Sequence, residues 1–264
     1  MKIKNLILAI NKIHKINGTS QPFICGGLVR DKVLNRLSKV ADIDLTTGDS
    51  SINIIADELY RFLIKEYTVS RETKSDHQTI KFTNLKIDFS SNFIIPNINQ
   101  FLIKKGITNP TTLQQEMFSR DFTCNSMLLN LDSFNVIDVV GSGIEDTNNK
   151  IIRTCLEPEI TLLSYNNRVV RAIYLSSKLG FKLDQKIINF VKTHPELIKV
   201  ARNKTLIDKL NLAIDYDTEN TLRLLTDLNV WNYVPVTDKL QPFYEERLKQ
   251  KKYVTYKTTT SGLF

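Results

Sequence analysis

The sequence lacks any long hydrophobic run, although 42% of its 264 residues are hydrophobic. A helix that spans a bilayer needs about 20 consecutive apolar residues, so we expect no membrane-spanning segment. Cysteine is scarce, and Cys25, Cys124 and Cys155 are spaced too widely for a disulfide framework or a zinc site. This cysteine usage is typical of a reducing compartment and predicts a cytoplasmic protein, with a mitochondrial or phage-encoded origin left open.

Histidine and acidic residues are also few. His14, His77 and His194 are far apart and have no ligand-type neighbours, which argues against a histidine-based metal site. Lysine and arginine total 36 against 28 aspartates and glutamates, which gives a formal net charge of +8. Excess positive charge favours a polyanionic partner such as nucleic acid. A generally lysine-rich surface would produce the same excess, so the charge alone identifies no partner.

Two glycines form the first informative motif. Gly26 and Gly27 follow a short apolar strand predicted over residues 22–25 and precede a helix predicted over residues 28–37. Because glycine has no Cβ atom, a phosphate can approach its backbone closely. The start of the following helix offers free N–H groups and a partial positive charge. This turn is a candidate phosphate-binding site, although a glycine pair alone is more often an ordinary turn.

Two aspartates follow within twenty residues. Asp42 and Asp44 are two positions apart in a strand predicted over residues 42–46, so both side chains point to one face of the sheet. Two carboxylates on one face repel each other unless a cation lies between them, and all-oxygen ligands suit Mg²⁺. We therefore predict a Mg²⁺ site at Asp42 and Asp44. The glycine pair and the aspartate pair are common separately and far more specific in this order and spacing.

The distribution of patterns predicts an α+β fold. Further strands are predicted over residues 79–83, 85–89 and 134–139, all in the first part of the chain. Helices are predicted over residues 3–16, 51–65, part of 111–130, 159–179, 184–193, 204–214 and 217–228. Since the later part is almost entirely helical, we expect a mixed head domain at residues 1–154 and a helical domain at residues 155–240.

A separate segment is expected at residues 241–264, where basic and aromatic side chains alternate. Such interleaving suits single-stranded RNA, because phosphates pair with lysines while bases stack on aromatic rings. A solvated chain end would have the same composition, so both interpretations stay open. The residues concerned are Arg247, Lys249, Lys251, Lys252, Tyr253, Tyr256 and Lys257.

Five sequence blocks along residues 20–235 carry a family resemblance. They are Gly26-Gly27-Leu28-Val29-Arg30-Asp31; Asp42-Ile43-Asp44-Leu45-Thr46; Arg120-Asp121-Phe122-Thr123-Cys124-Asn125-Ser126-Met127; Asp138 with Gly141-Ser142-Gly143-Ile144-Glu145-Asp146 and Lys150-Ile151-Ile152-Arg153-Thr154; and Arg168-Val169-Val170-Arg171-Ala172 leading to Leu179-Gly180-Phe181. Together they resemble the class II tRNA nucleotidyltransferase and poly(A) polymerase family, within the polymerase-beta-like nucleotidyltransferase superfamily. The five blocks are jointly very specific for this family.

The resemblance implies a fold and an activity. The fold would be an N-terminal nucleotidyltransferase head, with a mixed sheet and flanking helices, followed by an all-helical neck. The activity would be template-independent addition of nucleotides, from ATP and also CTP, to an RNA 3′ end, foremost that of tRNA. It would depend on Mg²⁺ and release pyrophosphate. The resemblance leaves the oligomeric state open.

The resemblance also implies roles for individual residues. Asp88 would join Asp42 and Asp44 as a catalytic residue, with Ile87 and Phe89 turned toward the core. Of the residues implied to bind nucleotide, Asp121 and Asn125 would hold the ribose or the junction between head and neck. The full implied nucleotide-binding set is Gly26, Gly27, Arg30, Arg120, Asp121, Asn125, Arg168 and Arg171.

The neck block departs from the family pattern. Where the family carries Glu-Asp-x-x-Arg, this chain has Ser164-Tyr165-Asn166-Asn167-Arg168, which keeps the arginine and loses both acids. Without the carboxylate, a base amino group loses a hydrogen-bond acceptor, which weakens the expectation of strict C-then-A selection. Three hypotheses stay open: a CCA-type tRNA nucleotidyltransferase, a poly(A) polymerase or other single-nucleotide tailing enzyme, and a catalytically silent RNA-binding relative.

Overall fold

Residues up to Ser164, together with Lys182–Ile187, form a unit around a seven-stranded sheet. The computed structural model describes residues 3–37, 40–74, 77–82, 84–90, 93–165, 167–200, 203–247 and 249. The strands are β1 (Phe23–Cys25), β2 (Asp42–Thr46), β3 (Ser70–Thr73), β4 (Gln78–Lys81), β5 (Lys86–Phe89), β6 (Met127–Asn130) and β7 (Val136–Asp138). Their order is β3-β4-β5-β2-β1-β6-β7, and the pair β2–β5 is parallel while every other pair is antiparallel.

Helices flank this sheet, as the alternation of patterns predicts. They are α1 (Ile3–Asn17), α2 (Gly27–Val33), α3 (Ile52–Leu63), α4 (Ile98–Lys104), α5 (Thr112–Ser119), α6 (Gly143–Asn148) and α7 (Pro158–Leu163), with a 3-10 turn at Thr123–Asn125. A short parallel ladder joins β8 (Ile151–Ile152) to β9 (Lys182–Leu183). This ladder is the reason that residues 182–187 belong to the first unit.

The main core of this unit lies between one face of the sheet and the helices α1 and α3. Both helices are amphipathic and turn their apolar side toward the strands. The fully buried members of the cluster include Leu6, Ile10, Ile24, Ile43, Leu45, Ile55, Leu59, Ile87 and Phe89. Because side chains alternate along a strand, the aspartates of β2 and β5 project from the opposite face. That face is partly covered by α5, whose Met117 packs against Cys25 and Leu128.

The second unit comprises Tyr165–Phe181 and the residues from Ile188 onward. Its helices are α8 (Arg168–Leu179), most of α9 (Gln185–Thr193), α10 (Asn203–Tyr216) and α11 (Thr218–Asp227), with 3-10 turns at Pro195–Val200 and Trp231–Tyr233. Helix α8 packs against both α10 and α11. The α+β class, with a mixed sheet first and helices afterwards, is confirmed.

Several local predictions differ from the structure. Helix α2 ends at Val33 instead of residue 37, because Asn35 adopts the left-handed conformation with φ of 55°. The region predicted helical over 159–179 forms two helices, because α7 ends at Leu163 and α8 begins at Arg168. Strand β6 occupies residues 127–130, which the sequence pattern assigned in part to a helix. A short apolar run is compatible with either state, and pairing with β1 decides it here.

The last segment is only partly described. Its predicted RNA-contacting residues from 251 onward lie outside the described residues. Arg247 is described, and its guanidinium lies 5.2 Å from the centre of the Trp231 ring, an intramolecular cation–π contact. In the part of the chain that the structure covers, no helix is both long and apolar enough to cross a bilayer. The functional division at residues 154 and 240 stays a prediction.

Candidate active site

Three aspartates meet where β2 and β5 run side by side. The two strands pair with Asp44 opposite Asp88 and with Asp42 opposite Lys86. One carboxylate oxygen from each of Asp42, Asp44 and Asp88 lies within 4.8 Å of the other two. The two-residue spacing places Asp42 and Asp44 on one face, and the strand pairing adds Asp88 from a distant part of the sequence. We call these three residues the aspartate cluster.

The electrostatics of the cluster favour a bound cation. The pKa of Asp44 is raised to about 6, first by burial and then by the negative charges of Asp42 and Asp88, while the Arg120 guanidinium opposes the shift. A divalent cation held by the three carboxylates would offset this repulsion. Carboxylate oxygens are also the ligands that hard divalent cations prefer. The donor set therefore fits a divalent-metal site.

Lys86 belongs to the same surface and was missed by the sequence analysis. It precedes Asp88 by two residues in β5, so its side chain lies on the face of the aspartates. Its ammonium contacts the Asp88 carboxylate and lies 3.9 Å from Asp42 Oδ1. The lysine therefore competes for carboxylate oxygens that would bind a metal. The spacing of Lys86 and Asp88 is the sequence signal that could have identified it.

We expect Lys86→Gln to tighten binding of Mn²⁺, a probe for divalent cations, by roughly threefold, because it removes a positive charge beside the ligands. The Lys86 side chain is 43% exposed, so solvent screening keeps the effect modest. Isothermal titration calorimetry on the nucleotide-free protein measures the change. Lys15→Gln serves as the control, because Lys15 lies on α1 at the other face of the sheet and pairs with Asp132. Unchanged or weaker Mn²⁺ affinity in Lys86→Gln contradicts the competition.

Gly26 is in direct contact with the aspartate cluster. Its φ of 76° lies in the left-handed region that glycine adopts without steric cost. A Cβ atom at this position would lie 2.4 Å from Asp44 Oδ2, which is far inside van der Waals contact. The contact arises because Cys25, just before the turn, pairs with Asp44 across β1 and β2. The glycine turn and the aspartate cluster are therefore parts of one site.

Arg30 lies against the same turn. A Cβ atom on Gly27 would lie 3.3 Å from Arg30 Nη2. The Arg30 side chain is buried and donates hydrogen bonds to Asp31 Oδ1 and, at 2.8 Å, to Asn125 Oδ1. The structure therefore brings Gly26, Gly27, Arg30 and Asn125 together, and Arg30 and Asn125 are bonded to each other.

Arg120 and Asp121 follow the end of α5. Arg120 Nη2 donates to Glu116 Oε1 at 3.0 Å and lies 2.9 Å from Cys25 Sγ. Arg120 lies close enough to Asp44 to oppose the rise of its pKa. Burial raises the pKa of Cys25 to about 12, so this thiol stays protonated and is not a nucleophile. The Asp121 carboxylate accepts the N–H of Phe122 at 2.8 Å, a local contact that shapes the backbone.

Of the neck block, Ser164 is the last residue of the first unit, and Tyr165, Arg168 and Arg171 belong to the second unit. Arg168 and Arg171 begin α8 and are three residues apart, which places them on one side of the helix. The Ser164 hydroxyl donates to the carbonyl oxygen of Thr161 at 2.8 Å, and Tyr165 is about half exposed. Neither position supplies a carboxylate. The nucleotide-binding roles of Arg168 and Arg171 stay predictions.

Comparison with protein families gives a match over half of the chain. The matching family model, the poly(A) polymerase head domain, covers residues 22–153. The matched residues include the glycine turn, the whole aspartate cluster and the block from Arg120 to Asn125. The match therefore falls on the part of the first unit that carries the candidate site.

Individual proteins are similar over most of the chain. An A-adding tRNA nucleotidyltransferase of Aquifex aeolicus is 26% identical over an alignment of 246 residues that covers 89% of this chain and 28% of the relative. A CCA-adding enzyme of Lactobacillus helveticus is 27% identical over 219 residues, 81% of this chain and 51% of the relative. The solved structure of a tRNA-processing enzyme with CTP matches at a TM-score of 0.68 and 25% identity, covering 88% of this chain and 60% of its own. The chain thus spans about half or less of the length of these two relatives.

Proposed function

The chain belongs to the poly(A) polymerase head-domain family, and on that premise we propose that it is a template-independent RNA 3′-end nucleotidyltransferase. One observation carries the proposal: Gly26 touches Asp44, so the turn that can hold phosphates adjoins the carboxylates that can hold metal. Nucleotidyl transfer needs these two parts side by side, because the triphosphate is bound and attacked at the same place.

We propose Mg²⁺ as the ion held by Asp42, Asp44 and Asp88, because carboxylates combined with substrate phosphate oxygens are its usual ligands. A divalent metal held by these carboxylates would supply activation of the attacking 3′-hydroxyl and neutralisation of charge on the triphosphate and on the departing pyrophosphate. The backbone N–H groups that follow Gly26 and Gly27 bind the triphosphate in this proposal.

Other side chains support these groups. Arg120 adds positive charge beside Asp44, and Arg30 with Asn125 holds the turn in shape. Arg168 and Arg171 are the proposed contacts to the incoming base, and Asp121 is a proposed contact to the ribose. The head at residues 1–154 would carry the chemistry, the neck at 155–240 would select the base, and residues 241–264 would contact RNA.

For the substrate we propose the 3′ end of tRNA, with CTP and ATP as donors. The support is that the similar proteins are an A-adding and a CCA-adding enzyme, and that the similar solved structure contains CTP. A net charge of +8 suits a polyanionic substrate. The proposed compartment is the reducing cytoplasm, in keeping with three free cysteines.

The test is an incorporation assay with purified protein, Mg²⁺ and a tRNA transcript that lacks its CCA end. Each of the four nucleoside triphosphates is supplied separately and then in combination, and the products are read on a sequencing gel. We expect addition of C from CTP, followed by A when ATP is also present. Asp42→Ala is the matched inactive control. Absence of incorporation from every nucleotide, on this tRNA and on generic RNA, contradicts the proposal and favours a silent RNA-binding relative.

A second candidate is addition of A alone. One support is that a similar protein is an A-adding tRNA nucleotidyltransferase. The other is the loss of both neck acids, because the Ser164 hydroxyl bonds the Thr161 carbonyl and no carboxylate accepts the base amino group that C-then-A selection would use. The test of this second candidate uses a tRNA transcript that ends in CC, with ATP as the only nucleotide. A single added A with no use of CTP supports an A-adding enzyme, and long A-tracts on generic RNA support a poly(A) polymerase. Addition of two C residues to the transcript that lacks the whole CCA end excludes both the A-adding enzyme and the poly(A) polymerase.

A further inference from the structure

A buried glutamate outside the predicted site residues connects both strands of the aspartate cluster. Glu116 lies on α5, and its residue is only 2% exposed. Its Oε2 accepts a hydrogen bond from Thr46 Oγ1 at 2.5 Å, and its Oε1 accepts one from Ser90 Oγ at 2.8 Å. One carboxylate therefore joins a hydroxyl at the end of β2 to a hydroxyl just past the end of β5.

The positions of these hydroxyls relative to the aspartates are the same on both strands. Thr46 is two residues beyond Asp44, and Ser90 is two residues beyond Asp88. Side chains two apart in extended chain share a face, so each hydroxyl lies next to its aspartate on the surface of the sheet. The strand pairing continues to this level, because Ser90 N donates to the Leu45 carbonyl at 2.8 Å. Strand pairing places Asp44 opposite Asp88, and the shared carboxylate braces the two strand ends next to them.

Glu116 also holds the arginine beside the cluster. Arg120 Nη2 donates to Glu116 Oε1 at 3.0 Å, one helical turn further along α5. A carboxylate can accept all three hydrogen bonds, from a threonine, a serine and an arginine. A glutamine cannot, since its amide has one acceptor oxygen and turns N–H donors toward the remaining group. A glutamine here would have to donate to the Thr46 hydroxyl, and it would lose the negative charge that pairs with Arg120.

The position of helix α5, which carries Glu116, is fixed by its own cap and by close packing against the loop after β2. Thr111 and Gln114 form a reciprocal capping box at its start. Gly48, in the loop after β2, has φ of 77°, and a Cβ atom there would lie 2.8 Å from Leu113 Cα. The Gly48 N–H donates to Thr46 Oγ1 at 3.0 Å, so the threonine hydroxyl is held from both sides. Movement of α5 relative to the strand ends is therefore restricted.

We propose that Glu116 is a positioning residue that braces the strand ends beside Asp44 and Asp88 and thereby raises the affinity of the cluster for divalent metal. The inference rests on the metal site of the proposed function and on no other part of it. Residues that orient metal ligands without touching the metal typically change metal affinity about 10–100-fold when they are substituted. Glu116 acts through Thr46 and Ser90 in this way.

The primary test is Mn²⁺ binding by Glu116→Gln, measured by electron paramagnetic resonance or calorimetry on the nucleotide-free protein. We expect an affinity at least about tenfold weaker than that of the wild type. Steady-state kinetics should give a lower kcat and a higher Mg²⁺ midpoint, with a smaller change in KM for the nucleotide. A merely structural role would lower Tm and leave the Mn²⁺ affinity within twofold of the wild type, and that result overturns the proposal.

Thr46 provides a matched pair in case Glu116→Gln does not fold. Thr46→Val keeps the shape and removes the hydroxyl, whereas Thr46→Ser keeps the hydroxyl. We expect weaker Mn²⁺ binding in Thr46→Val and near wild-type binding in Thr46→Ser. The double variant of Glu116→Gln and Thr46→Val should bind Mn²⁺ about as weakly as Glu116→Gln alone, because the two residues act through one contact. Equal Mn²⁺ affinities in Thr46→Val and Thr46→Ser overturn the proposal.

The outcomes separate this inference from the proposed function. A wild-type protein that binds Mn²⁺ and adds no nucleotide contradicts the proposed activity while the Glu116 test remains decisive. A wild-type protein that adds nucleotides, combined with unchanged Mn²⁺ affinity in Glu116→Gln and Thr46→Val, contradicts the positioning role alone. Failure of the wild-type protein to bind Mn²⁺ overturns the positioning role directly.

Discussion

Asp42→Ala and Asp44→Ala are each expected to lower the turnover number of nucleotide addition by at least ~1,000-fold, because each removes a carboxylate from the proposed metal site. Asp44→Ala should cause the larger loss of turnover, since Asp44 adjoins both Asp42 on its own strand and Asp88 on the neighbouring strand. Single-turnover incorporation with saturating nucleotide measures the loss. The same substitutions should weaken Mn²⁺ binding, which links the loss of turnover to the metal.

Unfolding must be separated from loss of chemistry in these variants. Asp44→Asn preserves the shape of the side chain and removes one of three repelling carboxylates, so its Tm should equal or exceed that of the wild type at pH 7.5. The sign follows from the raised pKa of Asp44, about 6, because the ionised form is disfavoured in the folded protein. Asp57→Ala, on α3 at the other face of the sheet, is the control for activity. Substantial residual turnover in Asp44→Asn contradicts a catalytic role.

Gly26→Ala is expected to lower turnover by roughly 100-fold, because a displacement of about 1 Å in a reacting group has an effect of that size. The new Cβ atom would lie 2.4 Å from Asp44 Oδ2. The carboxylate is the end of a side chain and can rotate away, so the protein should fold while Asp44 leaves its position. Activity should therefore fall much more than stability, as measured by turnover and thermal unfolding of the same preparation.

Gly106→Ala is the matched control for this substitution. Gly106 has a similar left-handed φ of 85°, but no atom lies within 4 Å of a Cβ atom built there. A positive φ strains alanine in both variants, and the strain is larger at Gly26, whose ψ of −146° lies outside the αL region. Thermal unfolding of both variants measures this difference separately from turnover. Only Gly26→Ala adds the collision with Asp44. Equal losses of turnover in the two variants would show that backbone strain, and not displacement of the aspartate, explains the result.

Local periodicity accounts for the features of the first unit that the sequence predicted correctly. The spacing of Asp42 and Asp44 places both on one face, and the buried Ile43 and Leu45 place the other face against the core. The same alternation of Ile87 and Phe89 around Asp88 is observed in β5. The short apolar strand before Gly26 and the helix after it are also present, within a few residues of their predicted bounds.

Contacts between distant parts of the chain could not be predicted from local periodicity. Gly26 was assigned to phosphate binding alone, and its contact with Asp44 follows from the antiparallel pairing of β1 with β2. Glu116 reads as an ordinary residue of a weakly amphipathic helix, and nothing local marks it as the acceptor for Thr46 and Ser90. Strand β3 was missed because its Arg71 and Glu72 show no hydrophobic alternation, and it forms at the sheet edge by pairing with β4.

Local sequence specifies the types of chemical group available and the face on which each projects, because strand and helix periods are local properties of the backbone. It thereby determined an aspartate pair, a glycine turn, a mixed first part and a helical second part. Long-range pairing and packing place β5 next to β2, Asp88 opposite Asp44, and Glu116 of α5 at both strand ends. These placements depend on hydrogen bonds and packing between residues far apart in the chain, whose pairing no local period encodes.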